Sequence, residues 1–158
     1  MDIDSDSAGV RLPPPLLFIG ALVAGLLLGK LLGQPGIPLR GWHLARNLGW
    51  LSLVAGGAIM LTAIGLFRKA GTEMKPWKRV SSFVTDGVYR WTRNPMYLGM
   101  ALIYAGLALI FDSLIALLLL VPVIFILQRE VIEREERYME SRFGSAYRDY
   151  KARVRRWI

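Results

Sequence analysis

From Met96 to Leu127 the chain runs through 32 residues with a single charge, Asp112. A stretch this apolar is too long for one ordinary membrane span, so it is expected to fold back on itself. The turn falls at Phe111-Asp112-Ser113, leaving two helical arms of about 15 residues, roughly 22 Å each. Such arms are short for a full crossing; tilt, local thinning or extension of the helices into their polar flanks would make up the difference. Pro122 is expected to kink the second arm. Two further apolar segments precede this hairpin. Leu16 to Gly33 carries only Lys30, whose stem can snorkel to the interface. Leu48 to Phe67 would span about 30 Å, enough for the hydrocarbon core. The expected fold class is an all-α integral membrane protein of about four transmembrane helices, the last two a helical hairpin. A C-terminal amphipathic helical segment follows on the cytoplasmic side. The chain reads as one domain, with two spans in residues 1–67 and the remainder in 68–158.

Hydrophobic residues make up 54% of the chain and come in blocks rather than alternating with polar ones, which points to a membrane rather than a soluble core. With no cysteine there is neither a disulfide framework nor a thiol nucleophile. A single histidine, His43, excludes a multi-histidine metal site, so no metal is expected. The formal charge of +8 raises the question of nucleic acid. The basic residues, however, flank the apolar runs, so anionic lipid headgroups are the expected partners and nucleic acid is not. The N-terminus opens with Asp2, Asp4 and Asp6 rather than a basic region, and a removable signal peptide is not expected.

The 68–95 loop holds seven basic residues against Glu73 and Asp86. That loop and the basic C-terminal tail belong on the cytoplasmic side by the positive-inside rule, giving four spans with both termini inside. The 34–46 loop with Lys30 is more basic than the N-terminal tail and pulls the other way. Ala21, Gly25, Gly29 and Gly33 place a small-residue stripe on one face of the first helix. Internal packing is preferred to dimerisation as its purpose. His43 and the aromatic residues of the tail, Tyr147, Tyr150 and Trp157, read as interfacial side chains.

Two polar clusters stand at the feet of the hairpin. The first is Gly87 to Gly99, where Asn94-Pro95 reads as a helix start with Asn at the cap and Pro at the first position. The free N–H groups of that helix, with Arg90 and Arg93 just before them, suit a carboxylate or phosphate. Ordinary capping with snorkelling arginines explains the same pattern. The second cluster is Glu133-Arg134-Glu135-Glu136, on a helix expected to run unbroken from Gln128 to Gly144. Glu135 and Glu136 point about 100° apart and cannot both face one ligand squarely. A solvated face with i,i+4 pairs such as Glu133–Arg137 is the bland alternative. Asp112 reads as a turn residue near the far interface. No Walker motif, dinucleotide glycine fingerprint or metal-ligand cluster is present.

The order of these pieces resembles the membrane methyltransferases that include isoprenylcysteine carboxyl methyltransferases and phospholipid N-methyltransferases. The resemblance rests on Phe67 to Thr72, Phe83 to Arg90, Arg93 to Gly99, the Glu135-Glu136 pair and Phe143 to Tyr150. It covers roughly residues 66–158. Asn94 stands where that family has histidine, and Val154-Arg155-Arg156 lacks the proline of a Val-Pro-Arg segment. The resemblance implies S-adenosyl-L-methionine as methyl donor and a lipidic substrate within the bilayer, an isoprenylcysteine-like carboxylate or a phospholipid amine. It implies catalytic roles for Arg93 and Glu136, and cofactor binding by Tyr89, Arg90, Asn94, Tyr97, Gly99 and Glu135. Arg90, Arg93 and the helix start would hold the methionine carboxylate. Tyr89, Trp91 or Tyr97 would pack on adenine or face the sulfonium. Either glutamate is the candidate base where an ammonium headgroup must first lose a proton. The expected location is a bacterial inner membrane, with the cofactor site facing the cytoplasm. The alternatives are an NADPH-dependent, sterol-reductase-like membrane enzyme and a non-catalytic membrane protein that keeps the fold.

Overall fold

The computed structural model describes residues 8–10, 12–33, 36–37, 42–71 and 83–158. The acidic start of the chain, most of the 34–41 loop and the basic part of the long loop over 72–82 lie outside these residues. Five α-helices are described: α1 (Pro14–Leu31), α2 (Trp42–Lys69), α3 (Pro95–Ile110), α4 (Leu114–Leu127) and α5 (Glu133–Arg153). A 3-10 turn, Gly87–Arg90, precedes α3, and a π-turn, Gln128–Ile132, joins α4 to α5. There is no strand among the described residues. The chain is an all-α integral membrane protein.

Helices α3 and α4 form the expected hairpin. Its turn is held by local chemistry: Asp112 takes a positive φ of 50°, and the Ser113 hydroxyl caps α4 by accepting from the Ala116 N–H at 3.2 Å. The Asp112 carboxylate also accepts from the Ile37 N–H at 2.8 Å, tying the turn to the preceding loop. Asp112 is thus the turn residue that its position suggested.

The shortfall in span length is made up in one arm only. α4 continues without interruption through the π-turn into α5, whereas α3 stops at Pro95 after 16 residues, about 24 Å. Eleven of the 21 residues of α5 are charged, which places it beyond the hydrocarbon, beneath the bundle. α2 starts six residues before the apolar block, so His43 sits exposed on its first turn rather than in a loop.

Small residues set the helix spacing. The α1 stripe packs internally: Gly25 and Gly29 are buried, and a Cβ at Gly25 would lie 2.5 Å from the Ala116 Cα of α4. A second set of glycines joins α2 to α3 reciprocally. A Cβ on Gly49 would meet the Gly106 carbonyl at 2.8 Å, and one on Gly106 would meet the Gly49 carbonyl at 2.7 Å. Gly56 and Gly99 repeat the arrangement at 2.6 and 2.8 Å. Lipid tails give no hydrophobic drive between helices, so such close backbone contact is the main source of cohesion. Around it the bundle presents exposed Leu16, Ile19 and Val23 of α1, Leu51 and Val54 of α2, and Leu118, Val121 and Phe125 of α4. Among the described residues three helical stretches, beginning at Pro14, His43 and Leu114, are long and apolar enough to cross a bilayer.

Candidate active site

The start of α3 and the base of α5 converge with the C-terminal tail. Pro95 occupies the first turn of α3 and Asn94 the cap position, as expected, but the Asn94 side chain does not cap. Its Nδ2 donates instead to the Arg156 carbonyl at 2.9 Å. The Thr92 hydroxyl donates to the same oxygen at 3.1 Å and accepts from the Asn94 N–H at 3.2 Å. The Arg93 N–H donates to the Arg155 carbonyl at 3.0 Å. Residues 154–157 therefore lie as a strap along 92–94.

Glu136, only 5% exposed, stands under this strap. Arg156 grips it in a fork, Nη2 to Oε2 at 2.7 Å and Nε to Oε1 at 3.1 Å. Arg93 pairs with the same Oε1 through Nη2 at 3.2 Å. The Nε and Nη1 of Arg93 are buried and have no hydrogen-bond partner among the described residues. Buried guanidinium nitrogens are costly to leave unmet, so two donors are held ready for an acceptor.

Glu135 diverges from its neighbour, as adjacent helical positions must. Its Oε1 accepts from the Tyr97 hydroxyl at 2.6 Å. Burial pushes the Glu135 carboxyl up to about 7; the Tyr97 hydrogen bond pulls the other way, and the Glu136 charge adds to the rise. Burial likewise pushes the hydroxyls of Tyr89 and Tyr147 well up and that of Tyr150 up to about 12, so all three remain donors.

Gly144, at φ 55° and ψ −126°, breaks the course of α5 at the residue where the helical pattern was expected to stop. Beyond it the chain turns Tyr147 and Tyr150 inward, each 5% exposed. They pack on Phe83 with ring centroids 5.7 and 5.9 Å away, and the Tyr150 hydroxyl donates to the Tyr89 carbonyl at 2.7 Å. These tyrosines are part of the site and not interfacial aromatics. Trp157 also turns inward: its Nε1 donates to Gln128 Oε1 at 3.1 Å, on the π-turn.

These groups line a partly open cavity of about 300 Å³. Arg93, Asn94, Glu135 and Glu136 supply its charged and amide groups, with Tyr89, Tyr97, Tyr147 and Tyr150 beside them. Most of the remaining lining is apolar and includes Met96, Met100, Met139, Ile64, Phe67 and the Pro14-Pro15 entry to α1. No cluster of three or more His, Asp or Glu side chains able to hold a metal occurs among the described residues.

Six of the eight site residues expected from the sequence thus meet in one cavity: Tyr89, Arg93, Asn94, Tyr97, Glu135 and Glu136. Two do not. The Arg90 side chain, 73% exposed, pairs with Asp86 at 3.0 Å on another face, because the 3-10 turn aims it away from Arg93. Gly99 is pressed against Gly56 and serves helix packing. Trp91 is 82% exposed and away from the cavity. Sequence reasoning missed Arg156 and the three methionines. Arg156 had a signal, since it occupies the arginine position of the C-terminal segment whose proline is absent. Met96 and Met100 look like any span surface, and Met139 like any apolar residue of an amphipathic helix.

The chain is similar to several known proteins. It is 41% identical over 63 residues to an uncharacterized protein of Haemophilus influenzae, covering 40% of this chain and all of that one. It is 32% identical over 71 residues to protein-S-isoprenylcysteine O-methyltransferase of Schizosaccharomyces pombe, covering 45% of this chain. It is 28% identical over 122 residues to protein-S-isoprenylcysteine O-methyltransferase B of Arabidopsis thaliana, covering 76% of this chain. The matched regions span 30% and 61% of the lengths of those last two relatives. The model of one methyltransferase family matches residues 44–146, from the start of α2 past the break at Gly144. By that match the chain belongs to the phospholipid methyltransferase family.

Proposed function

We propose that this chain is an S-adenosyl-L-methionine-dependent methyltransferase whose acceptor is a lipid in the bilayer, an isoprenylcysteine-like carboxylate or a phospholipid amine. The observation that carries the reading is the pair of unmet, buried guanidinium nitrogens of Arg93 in a cavity otherwise rich in apolar and aromatic groups. A carboxylate is a charge-assisted acceptor for either of these donors, and the cofactor's amino-acid end carries one. Tyr89, Tyr147 and Tyr150 offer ring faces for a flat base or a cationic sulfur. The cofactor supplies a methyl group on a positively charged sulfur, already activated for displacement. Positioning is then the main task of the protein.

The two glutamates divide the remaining work. Glu136 is held by two arginines and keeps Arg93 in place. Among the described residues Glu135 has a hydrogen bond only to Tyr97, and it titrates near neutrality, so it is the better base for an ammonium acceptor. A carboxylate acceptor needs none. Met96, Met100 and Met139 give an adaptable apolar wall for a lipid chain. The site opens toward the cytoplasm, and basic residues near the helix feet face anionic headgroups.

Calorimetric titration of the detergent-purified protein with S-adenosylhomocysteine and with NADPH tests the cofactor. Transfer of labelled methyl from S-adenosyl-L-methionine into extracted membrane lipids tests the acceptor. The expected result is binding of the homocysteine product alone and label in the lipid fraction. Binding of NADPH instead would move the assignment to a reductase, and a folded protein that binds neither would overturn the enzyme reading.

A further inference from the structure

Glu136 is shared unequally. Arg156 takes both of its oxygens, while Arg93 reaches one of them through one nitrogen. A buried carboxylate facing a single arginine forms a two-pronged fork. If Arg156 were absent, Glu136 would be free to fork onto Arg93 and engage a nitrogen that now has no partner. Arg156 also has a second carboxylate, Glu133, at 3.8 Å, whereas Arg93 has only its share of Glu136 among the described residues. Arg93 is thus the less fully paired of the two arginines.

Arg156 is not placed by chance of side-chain reach. Its own carbonyl accepts from Thr92 and Asn94, the residues on either side of Arg93. The carbonyl of its neighbour Arg155 accepts from the Arg93 N–H, and Trp157 fixes the strap to Gln128, the first residue of the π-turn. The two guanidiniums and the carboxylate between them are therefore held in one frame. The amide of Asn94 serves this frame rather than the helix cap.

We propose that Arg156 is a positioning residue that holds Glu136 away from Arg93, so that two guanidinium nitrogens of Arg93 remain available to the anionic end of the cofactor. This rests on the cofactor reading above. The test compares two adenosine ligands in calorimetric titration of the full-length protein: S-adenosylhomocysteine, which has the amino-acid end, and 5′-methylthioadenosine, which lacks it. The variant R156A is expected to weaken S-adenosylhomocysteine about tenfold or more and to leave 5′-methylthioadenosine unchanged. R156K, which keeps the charge but not the fork, is expected to fall between R156A and the wild type. Parallel loss of both ligands would show a merely structural strap and overturn the proposal, and so would no loss of either. If R156A does not fold, R156K decides: a loss selective for S-adenosylhomocysteine supports the proposal, and its absence overturns it. A wild-type protein that binds neither ligand would instead overturn the cofactor reading.

Discussion

At the scale of single residues, the site turns on which partners each charged side chain already has. Because Arg156 keeps its grip on Glu136, removing Arg93 does not orphan a buried carboxylate. R93A is therefore expected to keep its helical circular dichroism while losing roughly tenfold or more in S-adenosylhomocysteine affinity by titration calorimetry. Glu135 makes a prediction with a pH sign. Its carboxyl rises from 4.5 to about 7 on folding, so the folded protein holds the proton where the unfolded chain has released it. Stability associated with this group is then full below about 4.5 and is lost as pH climbs to about 7. E135Q removes that dependence while keeping an acceptor for Tyr97. Its melting temperature should gain on the wild type between pH 5 and pH 8, and equal displacement at both values would rule the account out. Asn94 shows where reading the sequence stopped short. An Asn-Pro pair marks a helix start from local rules alone, and the start is there. The use of its amide depended on a carbonyl 62 residues away, which no local rule reports.

At the scale of elements, glycine spacing decides cohesion. G56A would drive a methyl group into the Gly99 carbonyl and should lower the melting temperature in detergent, at a cost of about 1–3 kcal/mol. G57A, one residue along and with nothing near its added Cβ, should be neutral or slightly stabilising by helix propensity. Equal effects at the two positions would mean that α2 and α3 do not meet at Gly56 and Gly99. The hairpin, its turn at Asp112 and the run of helix to Gly144 were legible because each follows from apolar length and a local breaker. The α1 stripe was legible for the same reason, as one face of one helix. The Gly49–Gly106 and Gly56–Gly99 seam was not, because its members come from two helices and match only once these are set antiparallel. The π-turn was equally silent: nothing in Gln128 to Ile132 departs from an ordinary helical sequence. Its wider turn resets the phase of α5, so which glutamate faces which partner could not be counted forward from α4.

At the scale of the whole molecule, orientation is testable because the chain has no cysteine to confuse a labelling experiment. Single variants W91C and F111C place a thiol at exposed positions at opposite ends of α3. With the site facing the cytoplasm, an impermeant maleimide added to intact spheroplasts should label F111C at once and W91C only after lysis. The reverse pattern would invert the topology. The mixed lining of the cavity also bears on how turnover would be measured. Withdrawing a lipid into water costs about 0.8 kcal/mol for each methylene exposed. A lipid acceptor of the kind proposed, with its chain against Met96, Met100 and Met139 and its headgroup beside Glu135, never makes that journey. Its encounter with the enzyme is then a two-dimensional search, and rates would follow the mole fraction of acceptor in the membrane. Adding inert lipid at constant bulk concentration should slow the reaction by dilution within the surface alone.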